Sequence, residues 1–287
     1  MAQLFGSGLA MGCIYGLVAL SFVLIYNATS ALNFAQGELV MLGAFVGVSL
    51  ISWKLPYPVV FLLTFVVMGV VGYLYQRLGY YPLRDKPFIT FIIATIGASI
   101  FLQNLALLVW GATPKAMPSL FETEFVQVLG ARLTPENLFI FGVTVALLVL
   151  FYGMFFRTAF GRRLRATAEN QEVARLMGIS VSRTISFTFI LSTALAGVAG
   201  LLVAPIFLVD IEMGIQLIFK AFVAVVIGGF GSLPGAVVGG LIIGILEILL
   251  AAFVSTVYKD ALVFTILILF LVFFPQGIFG ERVAEKV

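Results

Sequence analysis

The chain has 287 residues, of which 62% are hydrophobic and 10% charged, with a net charge of +3 and a pI near 9.0. Soluble domains average about 25% charged residues, so this composition cannot cover a water-facing surface; it excludes a soluble enzyme and reads as a polytopic membrane protein. Histidine is absent and Cys13 is the only cysteine, which removes an intrachain disulfide, a Cys/His metal centre and the usual general base and pH switch.

The expected fold is all-α: a single transmembrane helix bundle over 1–287 with eight or nine hydrophobic segments, each needing about 20 residues to cross as a helix. Residues 1–5 lack a basic n-region and a small-residue cleavage site, so the first apolar run, 4–26, is read as a retained span. A polar break at 27–38 precedes a second span ending near 52. Pro56 and Pro58 mark a turn before a third, 59–76. A loop with Arg77, Arg84, Asp85 and Lys86 leads to a fourth, 88–110. A longer loop, 111–135, carries Lys115, Glu122, Glu124 and Arg132, and a fifth span covers 136–156.

Residues 157–183 form the one long polar stretch. It holds Arg157, Arg162, Arg163, Arg165, Arg175 and Arg183 against Glu169 and Glu172. A basic run also suits nucleic acid, but a reader of nucleic acid would not be anchored between spans, so no nucleic-acid partner is expected. Residues 166–177 are good helix formers and Gly178 stands where a glycine cap would end the helix. Such a helix is either a handle for another protein or a solvated connector. A sixth span follows at 184–203, then an interruption at 205–214 with Asp210 and Glu212. The segment 215–227 is about 20 Å long at 1.5 Å per residue and would cross poorly alone. The final spans are placed at 236–255 and 261–275, with Lys259 and Asp260 in the turn before the second of them.

Most of the 16 Lys and Arg lie in 77–86, 157–183 and the tail at 282–286. Basic loops stay cytoplasmic, which places the 157–183 loop and the C-terminus inside and the N-terminus outside. Two broken segments stand out within this pattern. Asn33, Gln36, Gly37 and Glu38 interrupt the first hydrophobic third, and a carboxylate at bilayer depth costs about 2.5–3.5 kcal/mol or more unless it finds a partner or water. They are read either as a cytoplasmic turn with Glu38 in a first helical turn, or as a break lining a pathway. In the second half Glu212, Gln216 and Lys220 recur at i, i+4, i+8. Breaks in both halves suit a transporter of two related, inverted halves around a central pathway.

Lys220, set among Ile, Phe and Val, either snorkels to a span end or pairs with Glu247 or Glu38. Gln103 and Asn104 are read as substrate contacts or, more commonly for such residues, interhelical glue. The run Gly228, Gly229, Gly231, Pro234, Gly235, Gly239 lacks the Lys-Ser/Thr of a phosphate loop. Its small-residue spacing suits close helix packing or a hinge. With no nucleotide site in the chain, energy for transport would come from elsewhere.

The spacing Glu172-x-Ala174-x-x-x-Gly178 resembles the coupling-loop signature of ABC-importer permeases. Together with LNFAQGE at 32–38, SIFLQN at 99–104, MPSLF at 117–121, GRRLRATAEN at 161–170, KAFVAVVIGGFGSLPGAVVGG at 220–240, VYKD at 257–260 and PQGIFG at 275–280, the chain resembles the first membrane subunit of high-affinity branched-chain amino acid ABC importers nearly end to end. That resemblance implies a bacterial inner-membrane permease for Leu, Ile or Val, paired with a homologous second permease. It also implies two cytoplasmic ATPases that carry the ATP and Mg, and a periplasmic binding protein, with no cofactor on this chain and no catalysis by it. Coupling would fall to Arg162, Arg163, Arg165, Glu169, Glu172, Ala174 and Gly178. The pathway would be lined by Asn33, Gln36, Gly37, Glu38, Gln103, Asn104, Gln216, Lys220 and Glu247. The family often reads NFAHGE where this chain has Gln36, so no ionisable group is available there. Urea and short-chain amide importers share much of the pattern; a secondary transporter without an ATPase and a membrane enzyme are the other classes.

Overall fold

The computed structural model describes residues 1–118, 121, 125–128 and 131–280. Glu122, Glu124, part of the 117–121 stretch and the basic tail at 282–286 lie outside the described residues. The helices are α1 (Ala2–Thr29), α2 (Gln36–Ser52), α3 (Tyr57–Tyr75), α4 (Phe88–Trp110), α5 (Pro135–Arg157), α6 (Ala159–Glu169), α7 (Gln171–Leu176), α8 (Val181–Val203), α9 (Met213–Gly228), α10 (Leu233–Phe253) and α11 (Lys259–Phe273). A small antiparallel hairpin, β1 (Val126–Val128) with β2 (Ala131–Leu133), sits in the loop before α5. Among the described residues six stretches are long and apolar enough to cross a membrane: Gln3–Thr29, Tyr57–Leu83, Phe88–Trp110, Pro135–Arg157, Val181–Val203 and Leu233–Phe253. The protein is a multi-pass helical bundle.

Burial sorts the helices. The apolar window of α1 is 94% buried and that of α8 is 78%, against 11% for α4. Helices apolar on every side belong at the centre of a bundle or against lipid; α1 and α8 take the centre, while α3, α4 and α5 turn large apolar faces outward. Close backbone approach builds that centre. A Cβ on Gly244 of α10 would lie 2.1 Å from the Gly12 nitrogen of α1, and one on Gly43 of α2 would lie 2.2 Å from the Gly197 Cα of α8. Helix association in lipid relies on such van der Waals contact because tails and side chains are equally apolar.

The two short apolar helices, α2 and α9, cover about 25 Å each at 1.5 Å per residue, less than a bilayer core of about 30 Å. Their first turns meet inside the bundle, where Gly37 faces Gly214 so closely that a Cβ on Gly37 would lie 2.3 Å from the Gly214 carbonyl oxygen.

Several boundaries differ from the sequence-based expectation, each for a local reason. The first break is shorter than 27–38: α1 runs on to Thr29 and stops at Ser30, which adopts φ 54, and Gln36 already opens α2. Arg77 lies inside a helical extension, because α3 continues through a π turn, Gln76–Tyr80, and a 3-10 turn, Tyr81–Leu83. The single helix expected at 166–177 is two. Asn170 leaves helical geometry at φ −158, ψ 112, and its Oδ1 accepts from the Glu172 and Val173 amides at 2.9 and 3.0 Å, starting α7. Asparagine satisfies orphan amides well at this position, so the side chain breaks the run that composition alone would continue. Glu212 precedes α9 as its N-terminal cap residue and stands exposed, so of Glu212, Gln216 and Lys220 only the last two lie within the helix.

The bundle has two distinguishable ends. At one, Asn27 Nδ2 donates to the Gly231 carbonyl at 2.8 Å, Gln171 Nε2 donates to the Ala28 carbonyl at 3.0 Å, and the Ile278 amide donates to the Ile227 carbonyl at 2.9 Å. This end carries α6 and α7. At the other, Lys115 and Val209 exchange backbone hydrogen bonds of 2.9 Å, and Asn137 Nδ2 reaches Ser7 Oγ at 3.2 Å.

Candidate functional site

Three places hold the sequence-predicted residues. The first is a polar seam at the start of α2. Asn33 Nδ2 donates to Gln36 Oε1 at 3.2 Å, and Tyr75 Oη donates to Asn33 Oδ1 at 2.8 Å. Gln36 Nε2 donates to Ser21 Oγ at 2.9 Å and to Ser192 Oγ at 3.1 Å, joining α2 to α1 and α8. Glu38 is buried at 1% exposure; its Oε1 accepts from Ser99 of α4 at 3.1 Å, and its Oε2 has no hydrogen-bond partner among the described residues. Glu38 sits in a first helical turn, deep in the bundle, and Asn33, Gln36, Gly37 and Glu38 do not line the cavity described below. The amino ends of α2 and α9 meet beside it.

The second is a charged cluster around Glu247. Lys220 Nζ and Lys259 Nζ both donate to Glu247 Oε1, at 2.6 and 2.7 Å, and Tyr15 Oη donates to Oε2 at 2.6 Å. Asp260 stands 3.3 Å from Lys220 on the other side. Of the two acids available to Lys220, Glu247 is the one it meets; Glu38 goes to Ser99 instead. α1, α9, α10 and the start of α11 thus converge on one carboxylate. The cluster borders a cavity of about 560 Å³ whose walls include Val203, Ile206, Met213, Gln216 and Leu217, with Asp210 at the 205–214 segment. That volume lies in the range that accommodates small ligands. Apolar walls with a few cations and carboxylates can hold a zwitterion with an aliphatic side chain.

Gln103 Nε2 donates to the Ile211 carbonyl at 3.1 Å, tying α4 to the segment before α9. Asn104 is exposed and bonds the Ile100 carbonyl of its own helix. The structure brings neither into the cavity. In the glycine run, Gly229 and Gly231 adopt φ 103 and 83 between α9 and α10, Pro234 sits in the first turn of α10, and Gly239 packs on the Ala224 carbonyl with Gly235 on that of Gly228.

The third place is the arginine-rich end. Thr158 caps α6 by accepting from the Gly161 amide, and Arg165 donates to the Phe155 carbonyl while its guanidinium lies 5.2 and 5.3 Å from the Phe155 and Phe156 ring centres. Arg162, Arg163, Glu169 and Glu172 are exposed. Ala174 is buried against the bundle, and Gly178, at φ 78, turns the chain into α8. Between these anchors the tip of α7 projects: Leu176 is 86% and Met177 78% exposed. Beside it, Gln76, Tyr80, Arg84, Gln171 and Arg175 line a small cleft. Asp85 accepts from Arg84 Nε at 3.1 Å, and this hydrogen bond raises the guanidinium's pKa.

Sequence reasoning missed Ser21, Ser192, Ser99, Tyr15, Lys259 and Asp260. Polar residues spaced singly inside apolar spans were the available signal for the first four. Lys259 and Asp260 were assigned to a turn, where charge is ordinary.

A family profile described as "Branched-chain amino acid transport system / permease component" matches residues 4–271. The chain is 37% identical to the high-affinity branched-chain amino acid transport system permease protein LivH of Escherichia coli (strain K12), over 100% of this chain and 97% of that protein. It is 36% identical to the corresponding permease BraD of Pseudomonas aeruginosa, over 98% and 96% of the two chains. Among solved structures, PsaBC from Streptococcus pneumoniae in complex with Fab superposes with a TM-score of 0.50 at 16% identity, covering 98% of this chain and 91% of that one.

Proposed function

The chain belongs to the permease-component family of branched-chain amino acid transport systems, and on that premise we propose that it imports Leu, Ile or Val as one half of a two-permease pathway driven by separate ATPases. It is a multi-pass inner-membrane transport subunit. A periplasmic binding protein presents the amino acid at the end marked by Lys115 and Val209, and two cytoplasmic ATPases, which carry the ATP and Mg, engage the end marked by α6 and α7. A homologous second permease completes the pathway. In this orientation the N-terminus lies outside and the 157–183 loop and the C-terminus inside.

The observation that carries this reading is the projecting α6–α7 unit. It is short, basic and capped at both ends, and it is fastened to the bundle at Ala174 and through Gln171 to the end of α1. Force applied to the Leu176–Met177 tip therefore reaches a helix that runs through the whole core. α1 in turn carries Tyr15, which touches Glu247, so movement of the lever is connected by contiguous contacts to the cavity. There Lys220 and Lys259 suit the carboxylate of the cargo and Asp260 and Asp210 its ammonium, while Val203, Ile206 and Leu217 suit the aliphatic side chain. The seam at Asn33, Gln36, Gly37 and Glu38 lies where α9 begins and acts as the pivot for α9 when the cavity changes its opening.

The test is ATP-dependent uptake of labelled leucine by the complete transporter in proteoliposomes, with ATPase copurification scored in parallel. Gly178→Leu is expected to abolish both uptake and copurification while the permease still inserts. Uptake that persists without ATP, or copurification that survives the change, would overturn the proposal.

A further inference from the structure

A second feature lies outside the pathway. α1, α5 and α10 enclose an apolar groove of about 430 Å³, lined by Leu20, Val149, Tyr152, Phe156, Val237 and Val238 among others. On α5 its lining runs from Leu148 to Phe156, about 12 Å of helix. The groove ends at the arginine-rich end of the bundle, where the Arg165 guanidinium lies 5.3 Å from the centre of the Phe156 ring. Between Glu136 and Glu169 the sequence has no acidic residue but four arginines, Arg157, Arg162, Arg163 and Arg165. Among the described residues none of the four pairs with a carboxylate. Arg165 places one of its five donors on the Phe155 carbonyl and leaves others free.

An occupant must therefore present an apolar tail and an anionic head. We infer that this groove binds an anionic phospholipid, with an acyl chain along α5 and the phosphate held by Arg165 at its end. Basic sites between spanning helices select such headgroups, at about 1 kcal/mol per Lys or Arg, or about fivefold in affinity. A zwitterionic lipid would fill the groove equally well but leave Arg165 uncompensated. Because Arg165 belongs to α6, the bound headgroup also sets how firmly α6 sits against α5, and so links lipid composition to the stiffness of the projecting unit.

The experiment is native mass spectrometry of the purified full chain after exchange into detergent containing palmitoyl-oleoyl phosphatidylglycerol or the matching phosphatidylcholine. Phosphatidylglycerol should be retained at least about fivefold better. Arg165→Gln should remove that preference without changing phosphatidylcholine, whereas Arg157→Gln, on the far face of α5, should leave it intact. Val149→Trp, which fills the groove and leaves the arginines intact, should reduce retention of both lipids. Equal retention of the two lipids by the unaltered chain would overturn the inference, as would full retention by Val149→Trp. Efficient cross-linking of a Val149→Cys variant to a neighbouring permease in native membranes would overturn it too, by showing that protein covers the groove.

Discussion

Charge is handled in opposite ways at the centre of this bundle and at its arginine-rich end. Around Glu247 a buried carboxylate is met by half-buried cations, with Lys220, Lys259 and Tyr15 all within 2.7 Å of it. On α6 and α7, Arg162, Arg163 and Glu172 are exposed, and the most exposed apolar side chains of the region, Leu176 and Met177, stand beside them. Interior charge fixes the relation of four helices, because an unpaired ion there is costly. Exterior charge contributes little to the fold and is free to meet a partner. The same residue types therefore predict different losses when removed: stability together with cargo binding from the centre, transport without loss of stability from the end.

The largest effect on stability is expected at Glu247. Replacing it with leucine leaves Lys259 without its carboxylate and Lys220 with only Asp260 at 3.3 Å; in a partly buried site the cost falls at the lower end of the range for buried pairs, about 3 kcal/mol. Thermal unfolding of the purified chain in detergent should show a large drop for Glu247→Leu, and Lys220→Met in the same background should recover part of it. Absence of any drop would place the cluster in water and break the contrast. Next comes Gln36→Leu. It deletes hydrogen bonds to Asn33, Ser21 and Ser192, and at about 0.6 kcal/mol per bond inside a membrane protein the loss is about 2 kcal/mol. Gln36→His, whose ring nitrogens can still donate and accept, should lose less in the same melting assay.

How much of this was legible beforehand depends on the kind of signal. Long apolar runs declared themselves, and 88–110 was placed without error because Pro87 and Gly111 bound it on both sides. Lys220 announced a partner by being a cation among Ile, Phe and Val, and the sequence narrowed the choice to two acids. It could not say which, since the pairing depends on how α9 and α10 pack. The broken lever was hidden because Asn170 acts through a side-chain cap, which composition does not register. Lys259 and Asp260 were hidden by location: at a span end charge usually means water, and only the approach of α11 to α9 draws them to the cavity. The groove beside α5 was invisible, since its walls come from three helices distant in sequence.

A smaller stability effect, about 1 kcal/mol, is expected for Asn170→Ala. Loss of the cap on the Glu172 and Val173 amides has that typical cost, and it lets α6 and α7 run together, so transport should fall by more than stability does. Leucine uptake and melting temperature measured on the same preparation separate the two.

The smallest stability effect, and the sharpest test of the contrast, belongs to Leu176→Asp. The side chain is 86% exposed, so the folded permease loses almost no buried contact and its stability should stay within about 0.5 kcal/mol of the unaltered chain. An apolar tip that enters a groove on an ATPase is a different matter. Truncation of a buried interface anchor commonly costs about 2 kcal/mol or more, and placing a carboxylate there adds its desolvation. ATPase copurification should therefore drop at least about 30-fold, and ATP-dependent uptake should disappear, while the melting temperature is unchanged. Normal uptake with normal melting would mean that the tip touches nothing, and the division between a centre built for stability and an end built for contact would fail at its outermost residue.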